Sequence, residues 1–175
     1  MLLDTQLIFD SNSSLIASAV SVPSENVIDL AGVGVGQAPP NYFGVQDLVF
    51  GEDIGIGDGA SPPVLTVIVG TTFTTANAGT LTVALQYSID SGAPGYTPSA
   101  WVTALQTGAI AVANLTAGQQ IAEMTMPPRA PGQGMPRFIR LLYIVANAFT
   151  AGTIAFAGIN TGRNDDTKAI YPAAY

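Results

Sequence analysis

From Thr80 to Asp90 the chain alternates without a break. Leu81, Val83, Leu85, Tyr87 and Ile89 fall on one side, and Thr82, Ala84, Gln86 and Ser88 on the other. Only an extended strand gathers those five apolar residues on one face, because side chains alternate across a strand and spiral around a helix. The pattern predicts a half-buried strand. Val64 to Phe73 is β-branched and brings Leu65, Val67, Val69 and Phe73 together in the same way. Leu15 to Val22 and Trp101 to Gln106 read as shorter strands. Trp101, directly after Pro98-Ser99-Ala100, reads as a core anchor at a strand start. Ile110 to Leu115 and Ile121 to Met126 flank Thr116-Ala117-Gly118-Gln119, a hairpin connection by pattern. Arg137 to Asn147 is apolar on both faces in its second half, which predicts a central strand covered on both sides, with Thr153 to Ile159 as its partner.

Helix signals are thin: no segment of ten or more residues carries an apolar stripe at helical spacing with caps. Nineteen Gly and twelve Pro fall where strands should stop. About eight strands with turns between them predict an all-β fold, a jelly-roll β-sandwich. At 175 residues the chain reads as a single domain, 1–175. Residues 31–63 form a long Gly/Pro-rich excursion from it. Gly32-Val33-Gly34-Val35-Gly36 runs into Pro39-Pro40, and Gly55-Ile56-Gly57-Asp58-Gly59 into Pro62-Pro63. Between them lie Tyr42, Phe43, Leu48, Val49 and Phe50, apolar surface that needs cover either on the sandwich itself or on a neighbouring subunit.

The chemical vocabulary is narrow. With no Cys and no His, thiol and imidazole nucleophiles, imidazole bases, disulfides and most transition-metal sites are absent. The glycine repeats meet Pro-Pro pairs instead of opening a helix, so they are not phosphate loops. Glu52, Asp53 and Asp58 do not match the spacing of a calcium loop. Asp90-Ser91-Gly92 reads as turn chemistry. These patterns predict a protein that is not an enzyme and holds no cofactor or metal. Nor do they suit a membrane. Leu141 to Ile159 lacks charge but carries Asn147, Thr150, Gly152 and Thr153 in its middle, and a soluble hairpin accounts for it better.

Charge is segregated. The net charge is −7, yet from Met1 to Pro128 there are ten acids and no base. The five bases, Arg129, Arg137, Arg140, Arg163 and Lys168, follow with only Asp165 and Asp166 among them. An acidic body argues against nucleic acid as a partner. Arg129, stiffened by Pro127-Pro128 before it and Pro131-Gly132 after it, is the leading candidate for partner contact, with Arg137 and Arg140 behind it. Arg137 and Arg140 are three apart, so at least one of them should be internal and paired with an acid. Tyr42, Phe43, Leu48 and Phe50 are the apolar candidates for the same role.

Several stretches resemble a known family. They are Met1-Leu2-Leu3-Asp4-Thr5-Gln6, Leu85-Gln86-Tyr87-Ser88 followed by Trp101, Arg137-Phe138-Ile139-Arg140-Leu141-Leu142-Tyr143-Ile144-Val145, and Gly152 to Ile159. Together they resemble the cement (decoration) proteins of short-tailed bacteriophages of the Bordetella-phage type. The resemblance covers most of Thr80 to Ile159 and the first dozen residues; the 31–63 excursion has no match. It implies a jelly-roll protein of the virion, on the capsid exterior after assembly in the host cytoplasm. It also implies the phage major capsid protein as partner and self-association as a homodimer, with a trimer as the alternative. A glycan- or receptor-binding sandwich of a phage or cell surface is the competing reading, with Trp101, Tyr87, Tyr96 and Tyr143 as a stacking platform. A carboxylate-based hydrolase stands third.

Overall fold

The computed structural model describes residues 7–16, 21–30, 63–93, 97–127, 130, 132 and 136–160. Its strands are β1 (Ile8–Ser14), β2 (Val22–Pro23), β3 (Ile28–Asp29), β4 (Val64–Thr74), β5 (Thr80–Ser88), β6 (Val102–Gln106), β7 (Ile110–Ala111), β8 (Gln120–Thr125), β9 (Phe138–Val145) and β10 (Ala151–Asn160). A 3-10 turn, Val112–Asn114, follows β7. One sheet has the order β1-β10-β4-β8, the other β2-β9-β5-β6, and every pairing is antiparallel. The fragments β2 and β3 lie along the same side of β9, and β6 and β7 along the same side of β5. Each pair is one interrupted strand. The fold is therefore an all-β sandwich, with eight effective strands among the described residues in jelly-roll order, as the patterning predicts.

The core lies between the sheets. Leu65, Val67, Val69 and Phe73 of β4 meet Leu81, Val83, Leu85 and Tyr87 of β5 and Ile139, Leu141 and Tyr143 of β9, all at most 2% exposed. Burying side chains of this size stabilises the fold by roughly 1.5–3 kcal/mol each. β9 lies centrally between β2/β3 and β5, as expected, but it is not covered on both sides: on its outer face Leu142 is half-buried and Ile144 is exposed. β5 departs from the half-buried expectation, because Ala84, Gln86 and Ser88 on its outer side are also buried. It too is central, and its small outward residues are flanked by side chains of β9 and β6. Ile89 lies beyond the strand end and is exposed.

Two expectations about connectivity are corrected. The segments around Thr116–Gln119 are not a hairpin: β7 pairs with β5 in one sheet and β8 with β4 in the other. Gln119 N–H closes a tight turn on Thr116 C=O at 3.0 Å, and Gly118 N–H bonds Val69 C=O at 2.9 Å, so this turn docks on β4 as the chain changes sheets. Likewise β10 is not the partner of β9. Ala146 N–H bonds Thr80 C=O at 3.1 Å in the second sheet, and Thr150 N–H bonds Thr74 C=O at 2.8 Å in the first. The buried Phe149 ring pins this crossover against Phe73, edge to face at 4.8 Å. Thr75 Oγ1 donates to Ala148 C=O and Asn147 Nδ2 to Ala78 C=O, which stitches the β4–β5 crossover to the β9–β10 one. No helix among the described residues is long and apolar enough to cross a membrane.

Of the strand expected from Leu15 to Val22, residues 17–20 lie outside the described residues, while Leu15, Ile16 and Ser21 are not in a strand and Val22 opens β2. β1 ends at Ser14, and β2 is only Val22–Pro23. β1 occupies the polar Asp10–Ser14 stretch instead, with a register shift between Ile8 and Asp10 and Asn12 at φ 60°. Asn tolerates that left-handed conformation better than most residues.

Candidate partner-contact face

Arg140 and Arg137 have separate fates. Arg137 sits just before β9 and is spent inside the fold. Its Nε and Nη2 donate to Asp29 Oδ1 and Oδ2 at 3.0 and 3.1 Å, and its Nη1 to Asp90 Oδ2 at 2.7 Å. Burial alone would lower the guanidinium's pKa, but the two carboxylates outweigh it and the net direction is up. Arg137 is thus the internal, acid-paired arginine that the spacing required. Asp90 also caps its own turn by accepting Gly92 N–H at 2.9 Å, as its Asp-Ser-Gly sequence predicts.

Arg140 points outward from β9. Residues 138, 140, 142 and 144 share one side of that strand, since 139, 141, 143 and 145 fill the core. The outer face of the sheet therefore carries Arg140, Leu142 and Ile144 beside Gln86, Ala84 and Thr82, which are their register partners on β5. Arg140 Nε donates to Gln86 Oε1 at 2.9 Å, and Gln86 Nε2 reaches Thr103 Oγ1 at 3.4 Å. The guanidinium lies 4.1 Å from the Trp101 ring centroid, a close cation–π stack. Burial lowers the Arg140 pKa, and no carboxylate among the described residues offsets it. Trp101 is consequently not a core anchor. It is half-buried on the outer face, where Arg140 covers one side of its ring.

A third cluster was not legible in the sequence. Asp10 of β1 is 1% exposed and faces the interior. Its Oδ2 accepts Tyr143 Oη–H at 2.6 Å, and its Oδ1 accepts Ser13 Oγ–H at 2.8 Å and Glu25 N–H at 2.9 Å. The bond to Tyr143 ties the edge strand of one sheet to the central strand of the other. A group so enclosed cannot meet a substrate, and its role is to hold the sheets together.

The tyrosines give a pH prediction. Burial first, then Asp10 and Glu25, push the Tyr143 phenol well above its usual value, and burial pushes Tyr87 up as well. The folded state therefore holds both protons at pH values where the unfolded chain releases them, so stability is complete below about pH 10 and declines above it. The decline should approach about 2.7 kcal/mol per pH unit for the two phenols together. Urea midpoints taken between about pH 8 and pH 11.5 check this, and Tyr143→Phe should halve the slope. An alkaline limb of unchanged steepness in that variant would contradict the assignment.

Arg129, Tyr42, Phe43, Leu48 and Phe50 lie outside the described residues, as do Glu52, Asp53, Asp58, Tyr96, Arg163 and Lys168. So does the 31–63 excursion except for Pro63, whose C=O accepts Met126 N–H at 3.0 Å beside the start of β4. Among the described residues no three His, Cys, Asp or Glu side chains are placed to hold a metal ion.

The family model named Bbp16 matches residues 9–158, well over half of the chain. The chain belongs to the Bbp16 family, a name that suggests a Bordetella phage protein. A search of curated proteins found no match.

Proposed function

We propose that this chain is a non-enzymatic cement protein of a phage capsid, binding the outer capsid surface and stabilising contacts between major capsid subunits. The observation that carries the reading is the Bbp16 match, which runs from the second residue of β1 to Gly158 in β10. The jelly-roll order and an outward face rich in contact-forming side chains support it. Self-association as a homodimer, and contacts through Arg129 and the 31–63 excursion, are parts of the same proposal. A weak contact suffices in such a role, because an assembled shell offers many linked sites at high effective concentration.

The competing glycan reading loses two of its four platform residues, and a third, Tyr96, lies outside the described residues. Tyr87 and Tyr143 are fully buried, and the ring of Trp101 is stacked under Arg140. The test is to heat capsids assembled without this chain, in its presence and absence. A cement role raises the disruption temperature in proportion to occupancy. No attachment and no shift would sink it, and a Trp101 emission change with an oligosaccharide panel would favour the glycan reading instead.

A further inference from the structure

We propose that the Arg140–Trp101 pair is the site that takes a carboxylate from a loop of the capsid partner, with Leu142 and Ile144 as its apolar flank. The proposal rests on the capsid-cement reading and names the chemistry of that contact. Its starting point is the contrast between two arginines at the same end of the chain. Arg137 is neutralised by two acids of its own fold, whereas no acid among the described residues pairs with Arg140. Folding has thus partly desolvated the Arg140 charge and given it a neutral amide and an indole face as neighbours.

The remaining geometry suits a carboxylate. Gln86 uses the Nε hydrogen, and the hydrogens of Nη1 and Nη2 have no acceptor among the described residues. An arginine with its outer edge unspent can pair a carboxylate with two parallel hydrogen bonds. Trp101 and Gln86 hold the fork in place before the partner arrives, so little side-chain freedom remains to be lost on binding. From Arg140 the same face of β9 runs through half-buried Leu142 to Ile144, which is 37% exposed, giving an aliphatic stripe beside the charge. Arginine and tryptophan are the residue types that dominate contact energies when water is excluded around them. A phosphate polyanion is the wrong occupant: a single arginine on a chain of net charge −7 is not the basic face that nucleic acid requires.

The experiment measures attachment to capsids assembled without this chain, by co-sedimentation across a salt series. Emission from Trp101, the one tryptophan in the chain, is followed alongside. Arg140→Gln should weaken attachment on the order of tenfold and flatten its salt dependence. Arg140→Lys should retain part of the affinity, and wild-type Trp101 emission should change on attachment. Ile144→Glu lies outside the Arg140–Gln86 network, should leave the melting temperature unchanged, and should weaken attachment by repelling the partner's acid; it keeps the test decisive if Arg140→Gln folds poorly. Wild-type-like attachment by Arg140→Gln or Ile144→Glu overturns this site and leaves the cement reading standing. Failure of the wild-type protein to attach overturns both.

Discussion

Asp10→Ala should cost about 3–5 kcal/mol of stability, a large part of the roughly 5–15 kcal/mol that holds a domain folded. Three donors converge on that one carboxylate, and truncation strands all of them. The heaviest penalty falls on the Tyr143 hydroxyl, on a fully buried side chain where water does not replace the lost acceptor. For a chain of this length the melting temperature should fall on the order of 10 °C. Asp10→Asn should be milder, because it keeps Oδ1 for Ser13 and Glu25 and its new amide can donate to the tyrosine oxygen. Asp10→Ala combined with Tyr143→Phe should cost less than the two changes added, since the second removes the group that the first leaves unpaired. Urea unfolding of the four proteins tests the cycle. A loss below about 1 kcal/mol for Asp10→Ala would mean that solvent reaches this site.

Gly152→Ala should be nearly as damaging, for a steric reason. Gly152, the second residue of β10, has φ 143°, a backbone conformation that side chains rarely adopt. A Cβ there would land on the ring of Phe73, which is itself packed edge-on against Phe149 at the β9–β10 crossover. Backbone strain and a displaced core ring together should cost about 3 kcal/mol. Gly118→Ala is the control. Gly118 also has positive φ, 79°, but nothing lies within reach of an added Cβ, so only the conformational part, about 1 kcal/mol, should appear. Equal losses in the two variants would mean that the Phe73 ring gives way freely and does not pin the crossover.

The difference between what was legible and what was not follows from the signals themselves. Apolar patterning, period-two in β4 and β5 and two-sided in β9, marks these strands because their inward residues are large and hydrophobic. It says which side of a strand faces the core, but not which sheet the strand joins. The turns before β8 and β10 therefore read as hairpins, while the jelly-roll path carries the chain across to the opposite sheet at each of them. β1 was hidden because inward Asp10 and Ser13 satisfy one another and Tyr143 in place of apolar packing, and a polar run looks like a turn. A polar stretch directly following Phe9 was the available signal. For the arginines, spacing showed that one had to find an acid, but the acids lie 108 and 47 residues away in sequence. Trp101 misled for the same reason: its neighbour Arg140 belongs to a distant strand, where the β5–β9 register sets it beside Gln86 and its guanidinium lies over the Trp101 ring.

The most direct test of the capsid role is a pair of cryo-electron microscopy maps of the phage capsid, with and without this chain. A cement role predicts added density on the outer surface, over the joints between major capsid subunits, into which the β1-β10-β4-β8 and β2-β9-β5-β6 sandwich fits. Identical maps, or density confined to the tail or the capsid interior, would contradict it.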